Sequence, residues 1–293
     1  MIDLTGIFPP LPTSYRETGE LYPEKIRENI TCLLEYELAG ILVLGSNGEL
    51  VLLSDLEKEM VYECSREAIP ADRLMIAGTG GQSTRQTIQL TRAAVRKGAD
   101  AVLVLNPFYY KGLMTKDILV QHYHNVADAS EVPLIIYNMP ANTGLDMDAE
   151  TIIEIADHPN IVGIKDSGGN IEKMGNILMQ AETGFQVLSG SAGFFFPALS
   201  SGAAGGILAL ANIAPGLCME LFNAFQAGEL DKARELQYRV IPINHAITRK
   251  WGIPALKAAM DHLGMYGGPV RAPLQSLDDK SRSELIKLLK ILD

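Results

Sequence analysis

Lys165 closes a short apolar stretch, Ile161-Val162-Gly163-Ile164-Lys165, and Asp166-Ser167-Gly168-Gly169 follow directly. A lysine at the inner end of a β-branched run must leave its ammonium somewhere dry, which is costly unless the amine is neutral or has chemistry to do. At the ordinary lysine pKa the amine is uncharged in only about one molecule in 2,500 at pH 7, so desolvation turns a poor nucleophile into a usable one. A strand-end lysine that points to solvent fits the same position equally well. Tyr137 ends another apolar run and Tyr109 follows a third. A phenol one strand from an amine can relay a proton. For Tyr137 taken alone, a ring packed in the core with its hydroxyl bonded at the edge is the better account.

Other chemistries find less support. His122 and His124 are two apart on an expected helix and share no face, while His158, His245 and His262 fall on helix or loop positions away from the other candidates. No metal site is expected. Gly45-Ser46-Asn47-Gly48 is not a phosphate-binding Walker loop, and no Gly-x-Gly-x-x-Gly follows a strand. The loop Ser189-Gly190-Ser191-Ala192-Gly193 runs into Phe194, Phe195 and Phe196, so it reads as a tight apolar turn more than as a phosphate cradle. Net charge is −10, with no basic run, which disfavours nucleic acid and anionic membrane surfaces as partners. Cys32, Cys64 and Cys218 are few and scattered, which fits a reducing compartment without disulfides. The first residues lack a basic segment followed by an apolar one, and the apolar window 194–214 is interrupted by Ser200, Ser201, Gly202, Gly205, Gly206 and Asn212. The expectation is a cytoplasmic protein with neither signal peptide nor membrane span.

The elements that must position these residues recur at a steady beat. Apolar runs at 4–8, 41–44, 74–77, 101–105, 134–137, 161–165, 186–188 and 206–210 read as strands, with amphipathic helical stretches between them. Pro23 opens one helix as a good first-turn residue, and Ile26, Ile30, Leu33 and Leu34 share its face. Ser54-Asp55-Leu56-Glu57 is a capping box. Gly40, Gly98 and Gly202 each stand where a helix ends and the next strand begins. Eight β-then-α units within roughly 210 residues predict a (β/α)8 barrel, an α/β fold whose catalytic groups lie on the loops after the strands. After Asn212 only helices are expected: 217–227 as the last barrel helix, then 230–240, 251–263 and 281–292. The predicted division is therefore a catalytic barrel over 1–227 and a C-terminal helical appendage over 228–293.

Collected in order, the loops after the strands are rich in glycine, small hydroxyls and amides, which suits a small oxygen-rich ligand. Gly45-Ser46-Asn47-Gly48-Glu49, Tyr137-Asn138-Met139-Pro140, Gly163-Ile164-Lys165-Asp166 and Ser189-Gly190 together resemble the signatures of the pyruvate-dependent class I aldolases, the superfamily of dihydrodipicolinate synthase and N-acetylneuraminate lyase. The resemblance runs over essentially the whole chain, in order and at matching spacing. It implies a (β/α)8 barrel with C-terminal helices, assembled as a homotetramer of two tight dimers. Lys165 matches the Schiff-base lysine and Tyr137 the proton-shuttling tyrosine beside it. Tyr109 matches the aromatic residue that such proteins insert into a neighbouring subunit's site. Ser46 and Asn47 match the pair that holds the keto-acid carboxylate, and Gly190 and Ile207 match positions whose backbone lines the pyruvate pocket.

Within that superfamily, dihydrodipicolinate synthases usually carry two threonines in place of Ser46-Asn47 and an arginine in place of Asn142. An amide cannot replace the charge-assisted bidentate grip of a guanidinium on a carboxylate. Ser46-Asn47, Pro140-Ala141-Asn142-Thr143-Gly144 and Lys165-Asp166-Ser167-Gly168-Gly169 look more like 4-hydroxy-2-oxoglutarate aldolases, with Ser167 near the distal end of the substrate. The resemblance thus implies a Schiff-base lyase that cleaves a 4-hydroxy-2-oxo acid, best 4-hydroxy-2-oxoglutarate, to pyruvate and glyoxylate, with no cofactor beyond the covalent Lys165 imine. The alternative is dihydrodipicolinate synthase, condensing pyruvate with aspartate semialdehyde. A barrel that binds a 2-oxo acid without turnover is the third reading.

Overall fold

The computed structural model describes residues 2–292; Met1 and Asp293, the outer bounds of the expected two-part division, lie outside the described residues. The apolar runs form eight parallel strands: β1 (Gly6–Phe8), β2 (Gly40–Val43), β3 (Leu74–Gly78), β4 (Ala101–Leu105), β5 (Leu134–Asn138), β6 (Ile161–Asp166), β7 (Gln186–Ser189) and β8 (Gly205–Ile207). Their order is β1-β8-β7-β6-β5-β4-β3-β2. The circle closes between β1 and β2, where the Ala39 N–H donates to Ile7 (3.1 Å), Leu42 to Pro9 (3.0 Å) and Leu11 to Leu42 (2.9 Å). The expected (β/α)8 barrel is what the chain forms. Its strands are near-continuous apolar runs because one face fills the barrel and the other packs under helices.

Two buried clusters follow from this. Leu4, Phe8, Leu42, Ile76, Leu103, Ile135, Tyr137, Val162, Leu188 and Ile207 fill the barrel interior. The alternate residues, among them Ile7, Val43, Val104, Ile136, Ile161 and Ile164, join the helices in an outer layer. Side chains alternate faces along a strand, and β6 breaks that count. Leu134 pairs with Ile161, but Ile135 pairs with Gly163, so Val162 is an extra residue, a bulge. Ile161 and Ile164 both face outward across it, and Lys165 comes opposite Tyr137. Strict alternation from Ile161 would have sent Lys165 outward into the helix layer. Gly163 fits the bulge because a Cβ there would lie 2.4 Å from the Gln186 carbonyl oxygen.

The helix starts carry the expected caps: Pro23 at the first turn of Pro23–Leu33, and a capping box in which Ser54 and Glu57 exchange hydrogen bonds with each other's backbone N–H. Gly98 and Gly202 end their helices at positive φ, as the sequence predicts. Gly40 does not. It lies inside β2, where a Cβ would meet the Leu74 carbonyl oxygen at 2.1 Å, so close strand approach explains it. The last strand is shorter than expected, because the chain leaves β8 after Ile207 for the 3-10 turn Ala209–Asn212. There the Asn212 amide donates to the Pro10 carbonyl (3.0 Å) and latches the last strand's end to the first's.

Beyond the barrel helix Pro215–Gln226, the helix predicted over 230–240 continues through Pro242 to His245 and passes into a π-helical turn, Ala246–Lys250. Gly252, at φ +64°, then starts Ile253–His262, and Asp279–Leu289 closes the fold. Pro242 is solvent-facing, so the missing N–H costs one hydrogen bond without ending the helix. These helices are stapled to the barrel mouth. Gln237 donates to the Ala192 carbonyl (2.9 Å) and accepts from the Phe196 N–H (2.7 Å), and Asn244 donates to the Ser191 hydroxyl (2.9 Å). No helix among the described residues is long and apolar enough to cross a membrane.

Candidate active site

At the C-terminal end of the strands, a cavity of about 250 Å3 is lined by both Lys165 and Tyr137. The bulge brings them together. Lys165 is 4% exposed, and its Nζ stands 4.2 Å from the centre of the Tyr137 ring. The Tyr137 hydroxyl lies 3.2 Å from the Ser46 hydroxyl, either of which can donate. An amine, a phenol and a serine hydroxyl thus line one cavity. A second cavity, apolar and about 290 Å3, adjoins it and shares Ser46, Tyr137, Asn142 and Ile253.

The residue after Lys165 fixes its backbone. Asp166 is fully buried and accepts from the Asn138 amide (2.9 Å) and the Gly168 N–H (2.7 Å), with the Lys173 ammonium at 2.9 Å. Asp146 completes the group through Asn138 (2.7 Å) and Lys173 (2.6 Å). Two carboxylates, one ammonium and one amide therefore clamp the ends of β5 and β6, the ammonium shared between both carboxylates. Ser167 follows, its N–H on the Asn138 carbonyl (2.9 Å). Its hydroxyl is buried without a protein partner and stands against Gly190, where a Cβ would come within 2.1 Å of it. A buried hydroxyl without a partner is one that a ligand can satisfy.

The loop carrying Ser46 and Asn47 is held from below. Glu49, fully buried in a left-handed conformation, lies 2.7 Å from the Lys257 ammonium and accepts from the Arg271 N–H (2.9 Å). Lys257 is itself 1% exposed and also donates to the Pro269 carbonyl (2.7 Å). Burial pulls its pKa down, against the opposing pull of Glu49. Arg271 reaches on to Glu57 at 2.6 Å, and that bond lowers the Glu57 carboxyl to about 2.

Ser46, Asn47, Asn142, Ser167, Gly190 and Ile207 all line the Lys165 cavity. Tyr109 does not: it is 76% exposed, packs edge-on against Tyr110 at 5.0 Å, and is tethered by its N–H to the Gln82 side chain (2.9 Å). The strand-seven loop is a tight turn, with Ser189 donating to the Ser191 carbonyl (2.9 Å) and Ser191 accepting from Gly193 (3.2 Å), and it is held from outside by Asn244 and Gln237. The histidines stay dispersed. His122 is buried against Thr84 (2.9 Å), and burial draws its pKa down to about 4. The sequence reading missed Ser191 and the arc Ile247, Thr248, Arg249, Gly252 and Ile253, which crosses the cavity from the C-terminal helices. The only signal for that arc was the Gly252-Ile253-Pro254 helix start. A π-turn has no comparable sequence mark.

The pattern of the Dihydrodipicolinate synthetase family matches residues 3–292. The chain belongs to this family. It is accordingly a carbon–carbon lyase of the pyruvate-dependent aldolase type. A 4-hydroxy-tetrahydrodipicolinate synthase of Methanoculleus marisnigri is 36% identical over 287 residues, covering 97% of this chain and 98% of the relative. A protein of Emericella nidulans named as a probable mitochondrial 4-hydroxy-2-oxoglutarate aldolase is 35% identical over 273 residues, covering 92% and 88%. Among solved structures, a dihydrodipicolinate synthase from Bacillus anthracis superposes with a TM-score of 0.95 at 29% identity, over 99% of both chains. Most of the similar curated relatives carry the synthase name.

Proposed function

We propose that this family member binds pyruvate as an imine on Lys165 and makes or breaks a bond at the pyruvate methyl carbon. The observation that carries the reading is the buried Lys165 amine over the Tyr137 ring in one cavity, with Ser46 on the phenol. The neutral amine attacks the ketone and water leaves. Loss of a methyl proton then gives an enamine, because the protonated imine accepts the electron pair. The enamine carbon attacks an aldehyde, and the new alkoxide takes a proton through Tyr137. Run backwards, Tyr137 removes the 4-hydroxyl proton, the C3–C4 bond breaks and the aldehyde leaves. Ser46 and Asn47 hold the C1 carboxylate so that the ketone faces Lys165. The sequence of steps calls on no metal or organic cofactor.

For the aldehyde, the relatives favour aspartate semialdehyde and hence synthesis of the dihydrodipicolinate precursor, over the cleavage of 4-hydroxy-2-oxoglutarate that the motifs first indicated. One observation keeps the cleavage reading: Asn142, with no guanidinium, lines the cavity where synthases usually place arginine. Borohydride trapping with pyruvate, read by intact mass, tests the shared chemistry. A pyruvyl adduct is expected on the wild type and not on Lys165→Ala, and its absence from folded wild type would sink the reading. Parallel turnover assays with pyruvate plus aspartate semialdehyde and with 4-hydroxy-2-oxoglutarate decide the aldehyde.

The active form is proposed to be a cytoplasmic homotetramer, a dimer of dimers. Tyr109, Tyr110 and Leu113, all more than 60% exposed, would then be covered by a second copy, bringing Tyr109 toward that copy's cavity.

A further inference from the structure

The Lys165 cavity carries a charge pattern that neither the motifs nor the family names account for. Two of its lining residues are cationic, Lys165 and Arg249, and none is an aspartate or glutamate, in a chain of net charge −10. Lys165 is committed to the covalent step. Arg249 has no such duty, and among the described residues no carboxylate pairs with it, whereas its neighbour Lys250 is taken by Glu284 at 3.0 Å. Arg249 sits in the π-helical turn Ala246–Lys250, just before Gly252 takes φ +64°. This irregular stretch sets Thr248, Arg249, Gly252 and Ile253 along the cavity wall together with Asn142. The arginine missing at 142 is thus matched by a solvent-exposed one on the cavity wall, supplied by the C-terminal helices.

We propose that Arg249 is the specificity-determining residue for a second carboxylate, on the aldehyde-derived half of the substrate. The inference rests on the Lys165 cavity being the substrate site, and it applies equally to aspartate semialdehyde and to a 4-hydroxy-2-oxo dicarboxylate, since both carry that group. A guanidinium fits a carboxylate in a two-pronged, charge-assisted contact, whereas a methyl group in its place gains nothing from it. Ser167, with its unpartnered hydroxyl, and Asn142 complete a polar end that suits oxygen atoms.

The test is calorimetric binding of 2-oxoglutarate and 2-oxopentanoate, which have the same carbon count and differ in a terminal carboxylate against a methyl. Wild type is expected to prefer 2-oxoglutarate by about tenfold or more. Arg249→Ala should bring the ratio close to one, and Arg249→Lys should keep part of it, because the charge survives without the fork. No preference in wild type, or a preference unchanged in folded Arg249→Ala, would overturn the assignment. The wild-type ratio stands even if a variant fails to fold. Binding heat does not require the imine, so a kept preference without a borohydride adduct would remove the proposed reaction and leave Arg249 in place.

Discussion

The hydrogen bond between Tyr137 and Ser46, at 3.2 Å, joins the phenol proposed to carry the proton to a hydroxyl proposed to hold the carboxylate. Positioned acid–base groups contribute roughly 10²–10⁴-fold to rate. Tyr137→Phe is therefore expected to lower kcat by about 10²–10³ while pyruvate still forms a trappable adduct more slowly; steady-state kinetics beside a trapping time course reads both. Ser46→Ala should cost less, since the phenol keeps its place over Lys165. The residues that line the cavity from the strand ends were legible because most belong to a short motif with a fixed neighbour. Arg249 was not, since a lone arginine between two helices looks like any solvated charge.

At the scale of elements, the strands were legible because burial on both faces leaves a continuous apolar run. What stayed hidden is geometry that changes no residue type: the extra residue in β6, the π-turn and the persistence of a helix through Pro242. Gly163→Ala tests the first. Its Cβ would meet the Gln186 carbonyl oxygen at 2.4 Å, so β6 and β7 must separate and Lys165 must shift. Both stability and adduct formation are expected to fall, whereas Ile164→Val, in the outer layer, should lose about 1 kcal/mol and keep the adduct. Chemical denaturation paired with trapping separates the two. Lys257, the most deeply buried of the lysines, belongs to this scale as well. Lys257→Met leaves Glu49 buried without its cation, a loss of about 3–5 kcal/mol. Adding Glu49→Gln should recover part of it, as read by urea unfolding.

For the whole molecule, His122 sets a response to acid. Its folded pKa is about 4 against an ordinary 6.5, so between those values the unfolded chain binds a proton that the folded one refuses. Stability therefore falls as pH drops through that window, by about 3 kcal/mol in all. His122→Gln should flatten the decline between pH 6.5 and 4, measured by urea midpoints across that range. Below about 4.5 a further loss should begin, as the unfolded chain's Glu57 takes up a proton that Arg271 keeps off the folded one down to about 2. These terms were invisible in the sequence, because a histidine's burial depends on which helix covers it.

The unpaired residue in β6 gives the barrel something like a reading frame. Side chains on that strand are assigned inward or outward by counting, and one insertion sets the count for everything downstream. Were the strand to slip so that Val162 paired with Ile135, every later side chain would change face and the lysine would be driven into the oily layer beneath the helices. The error would announce itself as instability before it could persist as an inert but well-folded barrel. In this chain the frame that turns the lysine into the cavity and the frame that lets the sheet close are one and the same, so loss of either is exposed to selection through the other.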